Sequence, residues 1–180
     1  MTQHATARRK IVGAAAAALA LAGLLAGCTG QPGTAAIVDG RAIPTSDVVT
    51  VQNELKPALG DVNTQQVLDI LIQEPTVVQL AVEHGVAVSD EEAKATLDTF
   101  FTANNQTPPA TFSPATMQVG LHQAAGQKLG NDANSAQIGK EFADRLAKLD
   151  VSVNPRFGTW DGSQGSIAAS TAPSWVVTPK

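Results

Sequence analysis

Residues 36–48 read AIVDGRAIPTSDV. Two short apolar runs, Ala36-Ile37-Val38 and Ala42-Ile43, flank Asp39-Gly40. Asp-Gly between apolar runs is the strongest short-range signal for a tight β-hairpin. Pro44 then ends the second run. Thr45 or Ser46 is placed to cap a helix, with Asp47 in its first turn. A hairpin leading into a helix makes a mixed start to a chain whose remainder has helical periodicity.

Working forward, Val48, Val51, Gln52 and Leu55 recur at helical spacing, and Pro57 and Gly60 end that helix. A second helix opens near Asn63 or Thr64. Val67, Leu68, Leu71, Ile72, Val78, Leu80, Ala81 and Val82 give it a broad apolar surface, so it is expected to cross the middle of the core. Pro75 lies inside this pattern, and a kink or break is expected between Ile72 and Glu74. Gly85 stops the helix after His84. Ser89 stands three residues before Glu92, which is the capping-box pattern for a third helix whose buried side carries Leu97, Phe100 and Phe101. Ser113-Pro114 starts a fourth helix and Gly130 closes it. A fifth is expected over about 132–149, carried by Ile138, Phe142, Leu146 and Leu149. Val151-Ser152-Val153 then alternates like a strand. The expected fold class is mainly α: about five helices with a small N-terminal β-hairpin paired to a C-terminal strand.

The ends of the 180-residue chain have a different character. Arg8, Arg9 and Lys10 precede an apolar run over 11–26, and small residues follow, as in a secretory signal. Leu25-Ala26-Gly27-Cys28 resembles the bacterial lipobox, which implies cleavage before Cys28 and lipidation of its sulfur. Cys28 is the only cysteine, so it has no disulfide partner within the chain. The expected organisation is a signal over 1–27, a tether over 28–35, a folded domain over 36–161, and a mostly disordered tail over 162–180. The tail is rich in Gly, Ser, Thr and Pro. Its one apolar island, at 173–177, is a candidate plug for the domain.

Of the 12 basic and 16 acidic residues, three basic and no acidic ones lie in 1–27. The mature chain therefore carries nine against sixteen, a net charge of −7. That balance argues against nucleic acid and against a polybasic grip on anionic lipid, and it leaves the lipid as the membrane anchor.

Candidate chemistry is sparse. His84 with Asp90, Glu91 and Glu92 has the ingredients of a metal site, but a histidine at a helix end and acids at a helix start are what the helix dipole favours. Asp132-Ala133-Asn134 begins like a calcium loop, yet Ala136, Gln137 and Ala143 occupy positions where that loop needs a ligand, a glycine and a glutamate. Asn105-Gln106-Thr107 is a sequon by pattern and a loop by context. There is no nucleophile elbow, no zinc-binding helix motif and no phosphate-cradling glycine loop. No catalytic residue, metal ligand or cofactor is assigned.

Four segments in order resemble a family. Residues 37–48 are similar to the opening of SurA-type and PrsA-type extracytoplasmic chaperones, and residues 67–72 to their Leu-x-x-Leu-Ile helix. Residues 84–92 resemble the link that follows it. Residues 150–160, DVSVNPRFGTW, resemble the C-terminal motif of actinobacterial SurA N-terminal-domain lipoproteins. The resemblance covers about 36–161 and leaves no room for a parvulin prolyl-isomerase domain, so isomerase activity is not carried over. It implies that Val151 and Val153 pair beside Ile37 and Val38. It also implies a non-catalytic protein, lipid-anchored on the outer face of the cell membrane, that binds unfolded or partly folded exported polypeptides. The alternative is a dedicated partner-binding or envelope-assembly lipoprotein that reuses the fold. Candidate client-binding residues are Phe100, Phe101, Phe112 and Met117, beside a Pro108-Pro109 loop expected to be mobile.

Overall fold

Strand β1 (Thr34–Val38) and strand β2 (Arg41–Pro44) form the hairpin expected from Asp39-Gly40. Both turn residues have positive φ, 48° at Asp39 and 82° at Gly40. Two consecutive left-handed residues match the twist of the flanking strands. These details come from a computed structural model that describes residues 32–168. The proposed signal, Cys28 and the island at 173–177 lie outside the described residues.

Strand β3 (Val151–Val153) pairs antiparallel on the other side of β1, giving the order β2-β1-β3. Val38 faces Val151, Ile37 faces Ser152 and Ala36 faces Val153. The turn and β3 are also tied at the corner: Asp39 N–H donates to the Asp150 carbonyl at 2.9 Å, and Asp150 N–H donates to Asp39 Oδ1 at 3.0 Å.

Among the described residues five helices carry the rest: α1 (Thr45–Leu59), α2 (Thr64–Glu83), α3 (Asp90–Ala103), α4 (Pro114–Gly130) and α5 (Ser135–Leu146). α2 is the central one, with Val67, Leu68, Leu71, Ile72, Val77, Leu80 and Ala81 buried. Two apolar clusters make the core. The larger joins β1, β2, α1, the first half of α2, Leu97 and Phe101 of α3, and the start of α4. The smaller joins Val77, Leu80 and Ala81 to Ala125, Leu129 and Ile138. α3 and α4 approach closely at Gly120, where an added Cβ would lie 2.6 Å from the Ala93 carbonyl oxygen.

Side-chain caps start α2, α3 and α4, while α5 starts at Asn134 without a side-chain cap bond. Asn63 caps α2, and Ser89 and Glu92 form the capping box of α3. Ser113 caps α4 with Pro114 at its first position. α1 also lacks a side-chain cap bond: its N-cap is Pro44, and Thr45 and Ser46 are already helical. The Thr45 amide is satisfied instead by the Gly33 carbonyl at 2.7 Å, because the hairpin delivers that carbonyl to the helix end.

Two expectations are corrected. α2 continues unbroken through Pro75. Proline removes the donor that would bond the carbonyl four residues earlier, that of Leu71. Arg41 Nη2 donates to that same oxygen at 3.3 Å, so β2 supplies what the proline withholds. The second correction concerns residues from 162 onward. The folded domain extends to Ala168, because β4 (Thr159–Asp161) and β5 (Ser166–Ala168) form a second hairpin. Its glycines are conformational requirements: Gly158 has φ 125° and Gly165 φ 64°. Asp161 Oδ1 accepts from Ser163 N at 2.9 Å and from Ser163 Oγ at 2.6 Å, which closes the turn. Ile167 then enters the larger core, 7% exposed.

Candidate functional site

The four aromatic and thioether candidates separate by burial. α3 packs its i, i+4, i+8 face, Ala93, Leu97 and Phe101, against its neighbours. Phe101 is 2% exposed and belongs to the core, so it offers no surface to a client and drops out of the candidate set. Its ring centroid lies 5.8 Å from that of Phe112, tilted 47°. Phe100, Phe112 and Met117 are half-buried and lean on the core from outside. Phe100 lines an open groove of 230 Å³ with Ala95, Thr96, Thr99 and Gln127. Lys94 Nζ lies 5.6 Å above the Phe112 ring and also binds Asp98 Oδ2 at 2.8 Å. The segment before α4 is held down: Glu54 Oε2 accepts from Ser113 N at 3.1 Å and from Ser113 Oγ at 3.0 Å. Pro108 and Pro109 are half-buried beside it.

A polar stripe on α2 was not anticipated. Gln65, Asp69 and Gln73 follow one another at four-residue spacing, so they share a face. Each binds main-chain atoms of the C-terminal segment. Gln65 Nε2 donates to the Phe157 carbonyl at 2.9 Å, and Gln73 Nε2 donates to the Gly165 carbonyl at 2.7 Å. Asp69 Oδ1 accepts from Ile167 N at 2.8 Å. His122 of α4 completes the arrangement, its Nε2 lying 3.2 Å from Gln73 Oε1. With the Gln73 amide nitrogen given to Gly165, its oxygen faces the imidazole, which therefore donates through Nε2–H. Burial lowers the His122 pKa, and Nδ1 is buried without a partner among the described residues. Burial raises the Asp69 pKa, against the opposing effect of the Ile167 N–H. The sequence signal for this stripe is polar residues at i, i+4 and i+8 of a helix that also carries Gln66, Glu74 and Gln79.

Two further concavities lie elsewhere on the surface. One, of 260 Å³, lies beside Pro75 and is lined by Val38, Arg41, Ile72, Pro75 and Gln79 among others. Glu74 is 8% exposed, and burial raises its pKa against the opposing charge of Arg41. The other is an open cleft of 710 Å³ at the start of α2, lined by residues 61–65, Arg156 and Phe157. There the Arg156 guanidinium stacks 4.4 Å above the Phe157 ring, and its Nη2 donates to Thr45 Oγ1 at 2.8 Å.

The acidic segment after His84 does not converge on the histidine. His84 Nε2 lies 3.3 Å from Glu141 Oε2, on the edge of an Arg145 cluster that also engages Glu83. Glu92 makes the capping box and an ion pair with Lys128 at 2.7 Å. The Asp132 segment is an Asx turn, with Asp132 Oδ1 accepting from Asn134 N at 2.7 Å. Among the described residues no cluster of His, Cys, Asp and Glu could hold a metal ion, and no helix is long and apolar enough to cross a membrane. Comparison with family models, curated proteins and solved structures finds no significant match to this chain.

Proposed function

We propose that this chain is a chaperone-like, lipid-anchored protein of the outer face of the cell membrane. It binds unfolded or partly folded exported polypeptides and performs no covalent chemistry on them. Cys28 carries the anchor. The observation that supports this reading is the α3 groove: Phe100 sits half-buried over 230 Å³ of open space lined otherwise by small and polar side chains. Such a surface accepts apolar side chains of a client without demanding a sequence. Phe112 and Met117 extend the apolar material around the start of α4.

A second reading has its own support. The large hydrophobics most exposed among the described residues are Val49, Leu59 and Val82, and the groove itself is small. A limited apolar surface also suits one dedicated envelope partner. Crosslinking in membranes separates the two. Many weakly captured exported polypeptides support the chaperone; one stoichiometric partner supports the assembly protein. Replacing Cys28 by Ser releases the protein from the membrane fraction on either reading, and unchanged membrane retention contradicts the lipid anchor.

A further inference from the structure

We propose that Gln65, Asp69 and Gln73 form a stripe that reads polypeptide main chain, which the protein's own second hairpin, residues 157–167, occupies in cis. This rests on the chaperone-like reading and names a second surface for it.

Three observations carry the inference. First, all three contacts go to backbone atoms: the Phe157 and Gly165 carbonyls and the Ile167 N–H. Donors and an acceptor at successive turns of one helix match groups that every polypeptide presents. Side chains of the bound segment are not read by this stripe. Second, Gln73 is held by a partner that lies outside the docked segment. His122 holds the oxygen of Gln73, which leaves the amide nitrogen aimed at a carbonyl. Third, the occupant has one buried apolar side chain. Ile167 is the buried apolar anchor of the second hairpin, and Trp160 is only half-buried. The Trp160 indole N–H is buried with no acceptor among the described residues, which weakens the docked state. A segment with few buried contacts opens locally without global unfolding. Client main chain offering carbonyls and an N–H to the same side chains then replaces it.

The test uses the full chain and two independent variants that loosen the hairpin. Ile167→Ala removes the apolar anchor. Gly158→Ala keeps it, but the new Cβ meets the Ala168 carbonyl and lies 2.6 Å from Ile167 Cγ2, at a φ of 125°. Amide exchange at position 167 reports undocking. The probes are a labelled unstructured peptide and the same peptide N-methylated at alternate amides, followed by fluorescence anisotropy. Both variants are expected to bind the unmethylated peptide about fivefold tighter than the parent, the gain of about one net hydrogen bond. N-methylation lowers that gain by removing the N–H that Asp69 accepts, and Asp69→Ala with Gln73→Ala erases it. An exchange-competent amide at 167 with no change in affinity overturns the proposal, and so does equal binding of the methylated peptide. If the parent binds unfolded polypeptide but undocking adds nothing, the stripe fails and the chaperone-like reading stands. If neither parent nor undocked chain binds any polypeptide, both fail.

Discussion

Arg41 donates through Nη2 to the carbonyl oxygen of Leu71 at 3.3 Å, the oxygen that Pro75 leaves without a helical donor. The hairpin and the central helix are thereby joined where the helix is weakest. Replacing Arg41 by Ala orphans that carbonyl and removes the positive charge that eases burial of Glu74. The expected cost is about 1–3 kcal/mol. In a Pro75→Ala background the restored N–H serves Leu71 directly, so Arg41→Ala costs less there, by about 1 kcal/mol. A denaturant double-mutant cycle measures the difference. Equal costs in both backgrounds contradict the pairing.

His122 gives the fold an acid sensitivity of definite sign. Burial holds its folded pKa below the usual 6.5, so the unfolded chain takes up the proton first. The neutral form is fully retained above about 6.5, and stability falls as pH drops from there toward the lower folded value. His122→Gln is expected to flatten the stability profile in that window. Denaturant midpoints at a series of pH values check it; an unchanged slope assigns the acid sensitivity to other groups.

Asp69 has the opposite sign. Its folded pKa is raised by burial, so the folded state prefers the protonated carboxyl, and stability declines as pH rises from 3.8 to the folded value. Asn keeps an oxygen for the Ile167 N–H and avoids a buried charge. Asp69→Asn is therefore expected to match or exceed the parent in stability at neutral pH, while Asp69→Ala costs about 1–2 kcal/mol. Thermal unfolding of the two variants distinguishes them. Equal losses contradict the hydrogen-bonding role.

Gly120 is the contact point of α3 and α4. An alanine there places Cβ 2.6 Å from the Ala93 carbonyl oxygen and 3.0 Å from Leu97 Cγ. The nearest atom is backbone, so relief requires the helices to separate. Gly120→Ala is expected to cost about 1–3 kcal/mol, whereas Gly126→Ala, facing open space, is neutral or stabilising. Parallel melting curves check the contrast.

How far the fold was legible follows the range of each interaction. Asp39-Gly40, the Ser89–Glu92 box and Ser113-Pro114 act within a few residues, so their sequence signals carried over intact. The pairing of Val151 and Val153 with β1 came from the ordered resemblance to SurA-type openings and closings, and it is present. Pro75 misled because the donor that rescues its helix sits in β2, thirty residues before the Leu71 carbonyl it serves. The second hairpin was missed because Gly and Ser mark both disorder and tight turns. Only Ile167 and the Asp161 turn separate the two here. The α2 stripe was hidden for a related reason: the backbone groups it binds lie 92 and 98 residues away. Among the candidate contact residues, the Ala93-Leu97-Phe101 spacing identifies Phe101 as core and turns Phe100 outward.

The central claim is that the surface around Phe100 holds unfolded polypeptide. Its most direct test measures binding of a permanently unfolded, reduced and carboxymethylated protein to the purified parent and to Phe100→Asp. Phe100 is only half-buried, so the variant remains folded, which circular dichroism verifies. The account predicts saturable binding to the parent and a loss of about tenfold or more in the variant, as when a charge enters an apolar contact. No binding to the parent, or equal binding to both proteins, contradicts it.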